Sequence, residues 1–288
     1  MELSNCINCN STHLKTMSVY SGAFLVKCAD CGLVFGKKQP STTELTAHYT
    51  NYPRYTSLSP ITEKRYGELL DKFELYRKSN NIIDLGCSNG LFLECAKKRG
   101  WIVYGTEYAQ ESIDYCADRN IKVFKSDKLP PEFFNLQFDV ITSFEVIEHI
   151  NTPNAEMEFI KKILRKGGAF YVTTPNFNSV SRMILKDRWN VIEYPEHLTY
   201  YTARTLNDLM QKYGFKKDFL VTTGFSFLRF NQGRGKDEVN RTLLNNTDET
   251  MRANIEKNFF LRCIKHSINF FLTAFKIGDA MKGLYINS

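Results

Sequence analysis

Long apolar runs are missing from this 288-residue chain. No window approaches the ~18 uninterrupted apolar residues of a membrane-spanning helix. The opening residues, MELSNCINCN, also lack the basic flank and apolar centre of an export signal. The expected compartment is therefore cytoplasmic, where thiols stay reduced. A dominant charge of one sign is missing too. The net charge is +7, yet residues 41–200 carry 20 basic and 21 acidic side chains. The excess sits mainly in residues 201–288, with 14 basic and eight acidic groups. A phosphate-tracking protein spreads a basic stripe over its main domain, so composition offers no nucleic-acid signature. With 43% hydrophobic and 24% charged residues, the balance is that of a globular protein.

What is present begins with cysteine. Four of the eight cysteines fall in the first 31 residues as Cys6-x-x-Cys9 and Cys28-x-x-Cys31, with 18 residues between the pairs. Two such knuckles present four thiolates to one ion, the spacing of a closed tetrahedral zinc site with a structural role. Short strands are expected at 23–27 and 33–35. Residues 1–40 are thus expected to form a zinc ribbon that relies on metal for much of its folding energy. Residues 41–80 read as a linker with a helix. Its Tyr49, Tyr52 and Tyr55 either fold over a ligand as a lid or dock the ribbon.

From Asn81 short apolar runs alternate with amphipathic stretches. Strands are expected at 82–85, 102–105, 123–125, 138–143, 169–173 and 218–222, with the apolar stretch 284–286 returning as a last strand. Helices are expected at 91–99, 111–119, 154–165 and 202–213, the last closed by Gly214. This alternation predicts an α/β fold, a doubly wound, Rossmann-like, mostly parallel seven-stranded sheet. Ligands of such sheets sit beyond the C-terminal strand ends. There the first turn reads Asp84-Leu85-Gly86-Cys87-Ser88-Asn89-Gly90. Gly86 allows a tight turn and close backbone approach, and the following helix N-terminus favours an anionic group. The dinucleotide fingerprint fails, because Ser88 and Leu91 replace its second and third glycines. Glu107 ends the second strand, where a carboxylate can grip ribose hydroxyls, and Asp127 ends the third, within reach of an adenine amino group.

The ordered stretches IIDLGCSNG, VYGTEY, KSDKLP, FDVITSFEVIEHI and KGGAFYVTTPN resemble class I S-adenosylmethionine-dependent methyltransferases over residues 81–224. The resemblance implies S-adenosylmethionine as cofactor. It places Gly86, Gly90 and Asp84 at the methionine end, Glu107 at the ribose and Asp127 at the adenine, with Phe144 completing the set. One departure is Ser88, where many members carry glycine. The cysteine ribbon followed by a tyrosine-rich linker resembles methyltransferases of bacterial sugar and surface-polysaccharide pathways.

Two histidine segments supply candidate bases. Glu145-Val146-Ile147-Glu148-His149 resembles the segment implicated in magnesium binding in ubiquinone-pathway O-methyltransferases. On one helical turn Glu145, Glu148 and His149 share a face. Alternatively, Glu148 and His149 only brace a substrate loop. Tyr194-Pro195-Glu196-His197-Leu198-Thr199-Tyr200 resembles the active-site segment of zinc-containing sugar C-methyltransferases. That resemblance makes His197 the base, Tyr194 a hydroxyl partner and Glu196 the group that fixes the imidazole. Alternatively, His197 hydrogen-bonds the start of the following helix.

The C-terminal third carries a helical insertion expected over residues 225–282. Aromatic and basic side chains recur at helical spacing over 257–276, suited to a peripheral membrane surface or to packing within the protein. The expected function is methyl transfer to a small-molecule or saccharide acceptor, a sugar nucleotide or surface-glycan precursor, with O-methylation favoured. The alternatives are a zinc-ribbon RNA methyltransferase and a non-enzymatic interaction module.

Overall fold

Ile82, Ile83, Val140, Ile141, Ala169, Phe170 and Val172 are all buried, although neighbours along a strand point to opposite faces. A strand apolar on both faces belongs in the middle of a sheet covered twice. The computed structural model, which describes residues 2–41, 44–45, 56–126, 129–224 and 258–288, has this architecture.

The chain opens with β1 (Leu14–Thr16), β2 (Leu25–Cys28) and β3 (Val34–Gly36). Helix α1 (Pro60–Phe73) leads to β4 (Asn81–Leu85), α2 (Leu91–Lys98), β5 (Ile102–Glu107), α3 (Gln110–Ala117) and β6 (Lys122–Lys125). Then come β7 (Phe138–Phe144), α4 (Pro153–Ile163), β8 (Leu164–Pro175), α5 (Val180–Leu185), β9 (Thr199–Tyr200), α6 (Ala203–Lys212) and β10 (Phe215–Thr223). Helix α7 (Phe259–Ala274) and β11 (Ala280–Asn287) close the chain. The main sheet has seven strands in the order β10-β11-β8-β7-β4-β5-β6. From β8 to β6 the pairs are parallel, whereas β11 runs antiparallel to both its neighbours.

Each sheet face has its own core. Leu70 and Phe73 of α1, Phe92, Leu93 and Ala96 of α2 and Cys116 of α3 cover one side. Met157, Ile160 and Ile163 of α4 and Leu206, Leu209 and Met210 of α6 cover the other. Three of the scattered cysteines, Cys87, Cys95 and Cys116, are small apolar fillers of the first core. A buried carboxylate ties the rim opposite the ligand edge. Asp139, at the start of β7, accepts from Lys78 N (2.8 Å), Ser79 N (2.7 Å) and Arg165 Nε (2.5 Å). Arg165 is thereby drawn into an extended path, so β8 begins at Leu164, directly after α4, earlier than the glycine pair suggests.

Two further features differ from expectation. The last strand begins at Ala280, because it pairs along its length with β8 on one side and β10 on the other. The insertion is therefore shorter than residues 225–282, and its residues 225–257 lie outside the described residues. The ribbon also does not pack only on itself. Its strands form a four-stranded sheet β1-β2-β3-β9, whose last member comes from the segment after His197. Cys6, Val26, Cys28, Leu33 and Phe35 join the core under α4 and α6. Hydrophobic burial against the main domain thus adds to whatever a metal contributes there.

Candidate active site

The turn after β4 is built around three left-handed residues, Gly86 (φ +68°), Ser88 (φ +48°) and Gly90 (φ +67°). A Cβ on Gly86 would lie 2.6 Å from Val146 Cγ2, and one on Gly90 would lie 2.8 Å from Cys116 Sγ. Both positions need glycine twice over, for backbone conformation and for space. The contact with Val146 sets this turn directly against the segment that carries Glu148 and His149.

Two carboxylates line the turn. Asp84 is buried and accepts from Thr142 Oγ1 at 2.7 Å. Burial pushes its carboxyl up to about 8, against the pull of that hydrogen bond, and the Glu107 charge adds to the rise. Glu107 accepts from Ser88 N (2.8 Å) at Oε2, and from Tyr108 N (2.7 Å) and Ala109 N (3.0 Å) at Oε1. Since a carboxylate has about four acceptor sites, capacity for a hydroxyl remains on Oε2. Phe144, at the end of β7, packs edge-on against Phe92 (5.0 Å) and near Tyr66 (5.7 Å) and Tyr171 (5.6 Å). Asp127 lies outside the described residues, as do Tyr49, Tyr52 and Tyr55.

S-adenosylmethionine fits this constellation. It carries a cationic methionine end, for which the buried Asp84 carboxyl is a matched partner, and a ribose diol suited to Glu107. The glycine turn presents backbone in place of side chain, so a cofactor could come close there.

The two histidines proposed as alternative bases meet. Their ring centroids are 4.8 Å apart and inclined at 63°. Ligand atoms of Glu148, His149 and His197 all lie within 4.8 Å of one another. His197 Nδ1 donates to the Val191 carbonyl (2.7 Å) and His149 Nδ1 to the Glu196 carbonyl (2.8 Å). A carbonyl only accepts, so each neutral ring carries its proton on Nδ1 and its lone pair on Nε2. Burial, then the neighbouring His197, push His149 down to about 4, so it is neutral at pH 7. Glu148 is buried, with Oε2 accepting from Thr174 Oγ1 (2.9 Å) and Oε1 lacking a hydrogen-bond partner. Burial and the charge of Glu145 raise its carboxyl well above the usual range.

Several expectations about these segments are corrected. Glu145 is exposed and left-handed (φ +53°), and only Ile147–His149 form a short 3-10 turn. The helical spacing therefore does not apply, and His197 takes the place expected for Glu145 in the cluster. The imidazole of His197 is held by Val191, whereas the Glu196 carboxylate stands 3.9 Å from Nε2. The alternative role of His197 at the helix start also fails, because Thr202 and Thr205 cap α6 reciprocally. Tyr194 turns away: its ring packs on Phe24, Lys38 sits over it, and its hydroxyl reaches Glu44 Oε1 at 3.5 Å. The loop bearing His197 is clamped on two sides. Leu198 N donates to Glu148 O (2.9 Å) and Thr199 Oγ1 to Ile150 O (2.6 Å), while Gly36 N of the ribbon donates to Leu198 O (2.9 Å).

At the ribbon, Cys6 Sγ and Cys31 Sγ lie 3.6 Å apart, and Cys9 Sγ and Cys28 Sγ 3.5 Å, with all four ligand atoms within 4.8 Å of one another. Sequence reasoning missed Tyr66, Val146 and Val191. Tyr66 stands in a helix ahead of the first main strand, and the part played by Val191 is a backbone carbonyl, which no side-chain pattern signals.

Comparison with known proteins agrees with this construction. The mitochondrial ubiquinone biosynthesis O-methyltransferase of Dictyostelium discoideum is 30% identical over 132 residues, 39% of this chain and 41% of that protein. The corresponding enzyme of Bartonella tribocorum is 31% identical over 101 residues, 33% of this chain and 41% of that protein. The matches thus span less than half the length of these relatives. The crystal structure of a SAM-dependent methyltransferase from Archaeoglobus fulgidus superposes with a TM-score of 0.51 at 17% identity, covering 85% of this chain and all of that one, which shows the shared fold. Residues 61–218, more than half of the chain, match the family model described as a methyltransferase domain. The chain belongs to this methyltransferase domain family and has its Rossmann-like fold.

Proposed function

We propose that the chain methylates a hydroxyl of a small-molecule saccharide acceptor, a sugar nucleotide or surface-glycan precursor. The observation that carries this reading is the pairing of His149 and His197 beside the glycine turn, joined to it through Val146. S-adenosylmethionine supplies an electrophilic methyl group on a sulfonium, and Asp84, Gly86, Gly90 and Glu107 would hold it. The remaining work is to position the acceptor oxygen and to take its proton. His197 fits the second task, with Nδ1–H fixed on Val191 and the lone pair at Nε2. The names of the curated relatives support O-methylation. The ribbon supports a small acceptor over RNA, because it is spent on bracing the His197 loop.

Methyl transfer to a panel of sugar nucleotides, catechols and RNA tests the acceptor class. Transfer to the sugars is expected, and transfer to catechols alone would overturn the saccharide part. His197→Ala is expected to lower turnover by about 100-fold or more, with S-adenosylmethionine affinity within a few-fold. Unchanged turnover would remove His197 from the reaction.

The four cysteines are proposed to hold a structural zinc ion. Sulfurs around zinc at ~2.3 Å stand ~3.8 Å apart, close to the observed pairs. Cys28→Ser should lower the zinc content by one ion per chain. A peripheral membrane contact is proposed at α7, where Phe259, Phe260, Phe270 and Phe271 are exposed beside Arg262 and Lys265. Co-sedimentation with anionic vesicles, lost in Phe270→Ser/Phe271→Ser, checks it.

A further inference from the structure

The resemblance to magnesium-binding relatives implies a hard cation held by Glu145, Glu148 and His149. The donor set gathered by the fold does not fit that ion. Magnesium takes six oxygens, several of them water, whereas this cluster offers two imidazoles and one carboxylate, and Glu145 stands outside it.

We propose that Glu148, His149 and His197 form a second metal centre, distinct from the four cysteines and selective for a divalent first-row transition ion. Two imidazoles and a carboxylate are the donors of such ions, zinc, cobalt, manganese and iron(II) among them. Three observations converge. The ligand atoms lie within 4.8 Å of one another. Around a tetrahedral ion with bonds of ~2.1 Å, ligand atoms stand ~3.4 Å apart, so a contraction of at most about 1.4 Å closes the set. The supporting contacts are those of metal-bound histidines, each ring tethered through Nδ1–H to a backbone carbonyl, of Val191 and of Glu196, which fixes tautomer and plane. Glu148 is held by Thr174 at Oε2 while its Oε1 is buried with no hydrogen-bond partner. A buried carboxylate oxygen without a partner is costly in a folded protein, and a cation removes that cost.

The inference rests on the methyltransferase reading and deepens it. With an ion bound, a Lewis acid would lower the pKa of the acceptor hydroxyl, whose proton would pass to solvent, and His197 would serve as a ligand, replacing the direct proton transfer proposed above.

The test uses full-length protein with the ribbon loaded with zinc, titrated with Co2+ and followed by visible absorption and calorimetry. One further Co2+ per chain is expected, with no thiolate charge-transfer band, and a hundred-fold excess of Mg2+ should not displace it. His149→Gln and His197→Gln should each weaken Co2+ binding by more than about 100-fold, whereas Glu145→Gln should leave it within about three-fold. Retained ribbon zinc and S-adenosylmethionine binding in the variants would show that they fold. Absence of a further Co2+ site in the wild type, displacement by Mg2+, or loss on Glu145→Gln with retention on His197→Gln would each overturn the proposal. A protein that methylates its acceptor at full rate without Co2+ binding would refute the metal while leaving the methyltransferase reading intact.

Discussion

Gly86 is the residue on which the cofactor turn can be probed most directly. Gly86→Ala forces a side chain into a left-handed backbone (φ +68°), at a cost of about 1–2 kcal/mol. The new methyl also lands 2.6 Å from Val146 Cγ2, and overpacking of this kind costs about 1–3 kcal/mol. The smaller entropy of the unfolded alanine chain returns about 0.4–1 kcal/mol. The net expectation is a loss of about 2–3 kcal/mol, read as a lower urea midpoint at unchanged slope. The two causes separate in a double-mutant cycle. Val146→Ala removes the colliding methyl groups, so Gly86→Ala in that background should cost only about 1 kcal/mol, a coupling of about 1–2 kcal/mol. Calorimetric titration with S-adenosylmethionine should show weakened binding in both backgrounds, since the backbone of the turn is displaced in each. Equal costs of Gly86→Ala with valine or alanine at position 146 would refute the reasoning that this contact seats the turn against the histidine segment.

Two further outcomes follow from the same turn. The folded-state pKa of Asp84 lies near 8, above its unfolded value, so the folded protein holds an extra proton between about pH 4 and 8 and its stability falls as pH rises through that window. A cationic cofactor should expel this proton at pH 7. Calorimetry in buffers of different ionisation enthalpy should detect the release, and Asp84→Asn should abolish it. Ser88 holds a left-handed conformation (φ +48°) that glycine adopts without strain, so Ser88→Gly should stabilise the protein by about 0.5–1 kcal/mol in urea unfolding. A loss of stability would show that the serine side chain is needed in the turn.

The main sheet was legible because its strands are buried on both faces, which leaves a run such as Ile82–Ile83 or Ile141–Thr142 in the chain as well as in the fold. The glycine turn was legible for the same local reason, since three left-handed residues in five leave a compositional trace. The histidine cluster was visible only as two separate segments. Nothing in either indicates that loops bring His149 and His197 to 4.8 Å. The Glu145 expectation assumed helical spacing where a single left-handed residue breaks it. The ribbon's fourth strand was hidden because Thr199–Tyr200 is two residues long, too short for any periodicity to register.

That short strand has a consequence for how the molecule assembles. Val34 pairs with Tyr200 and Phe35 with Thr199, partners separated by the first five strands of the main sheet. Closing so long a loop early is entropically unfavourable, so the pairing should form only after β4 to β8 have come together. On a ribosome the cysteine segment would emerge ahead of the main sheet and yet be seated after it. In the interval its thiols and the edge of β3 are exposed to solvent, and early capture of a metal ion would keep that edge ordered while the rest of the chain is made.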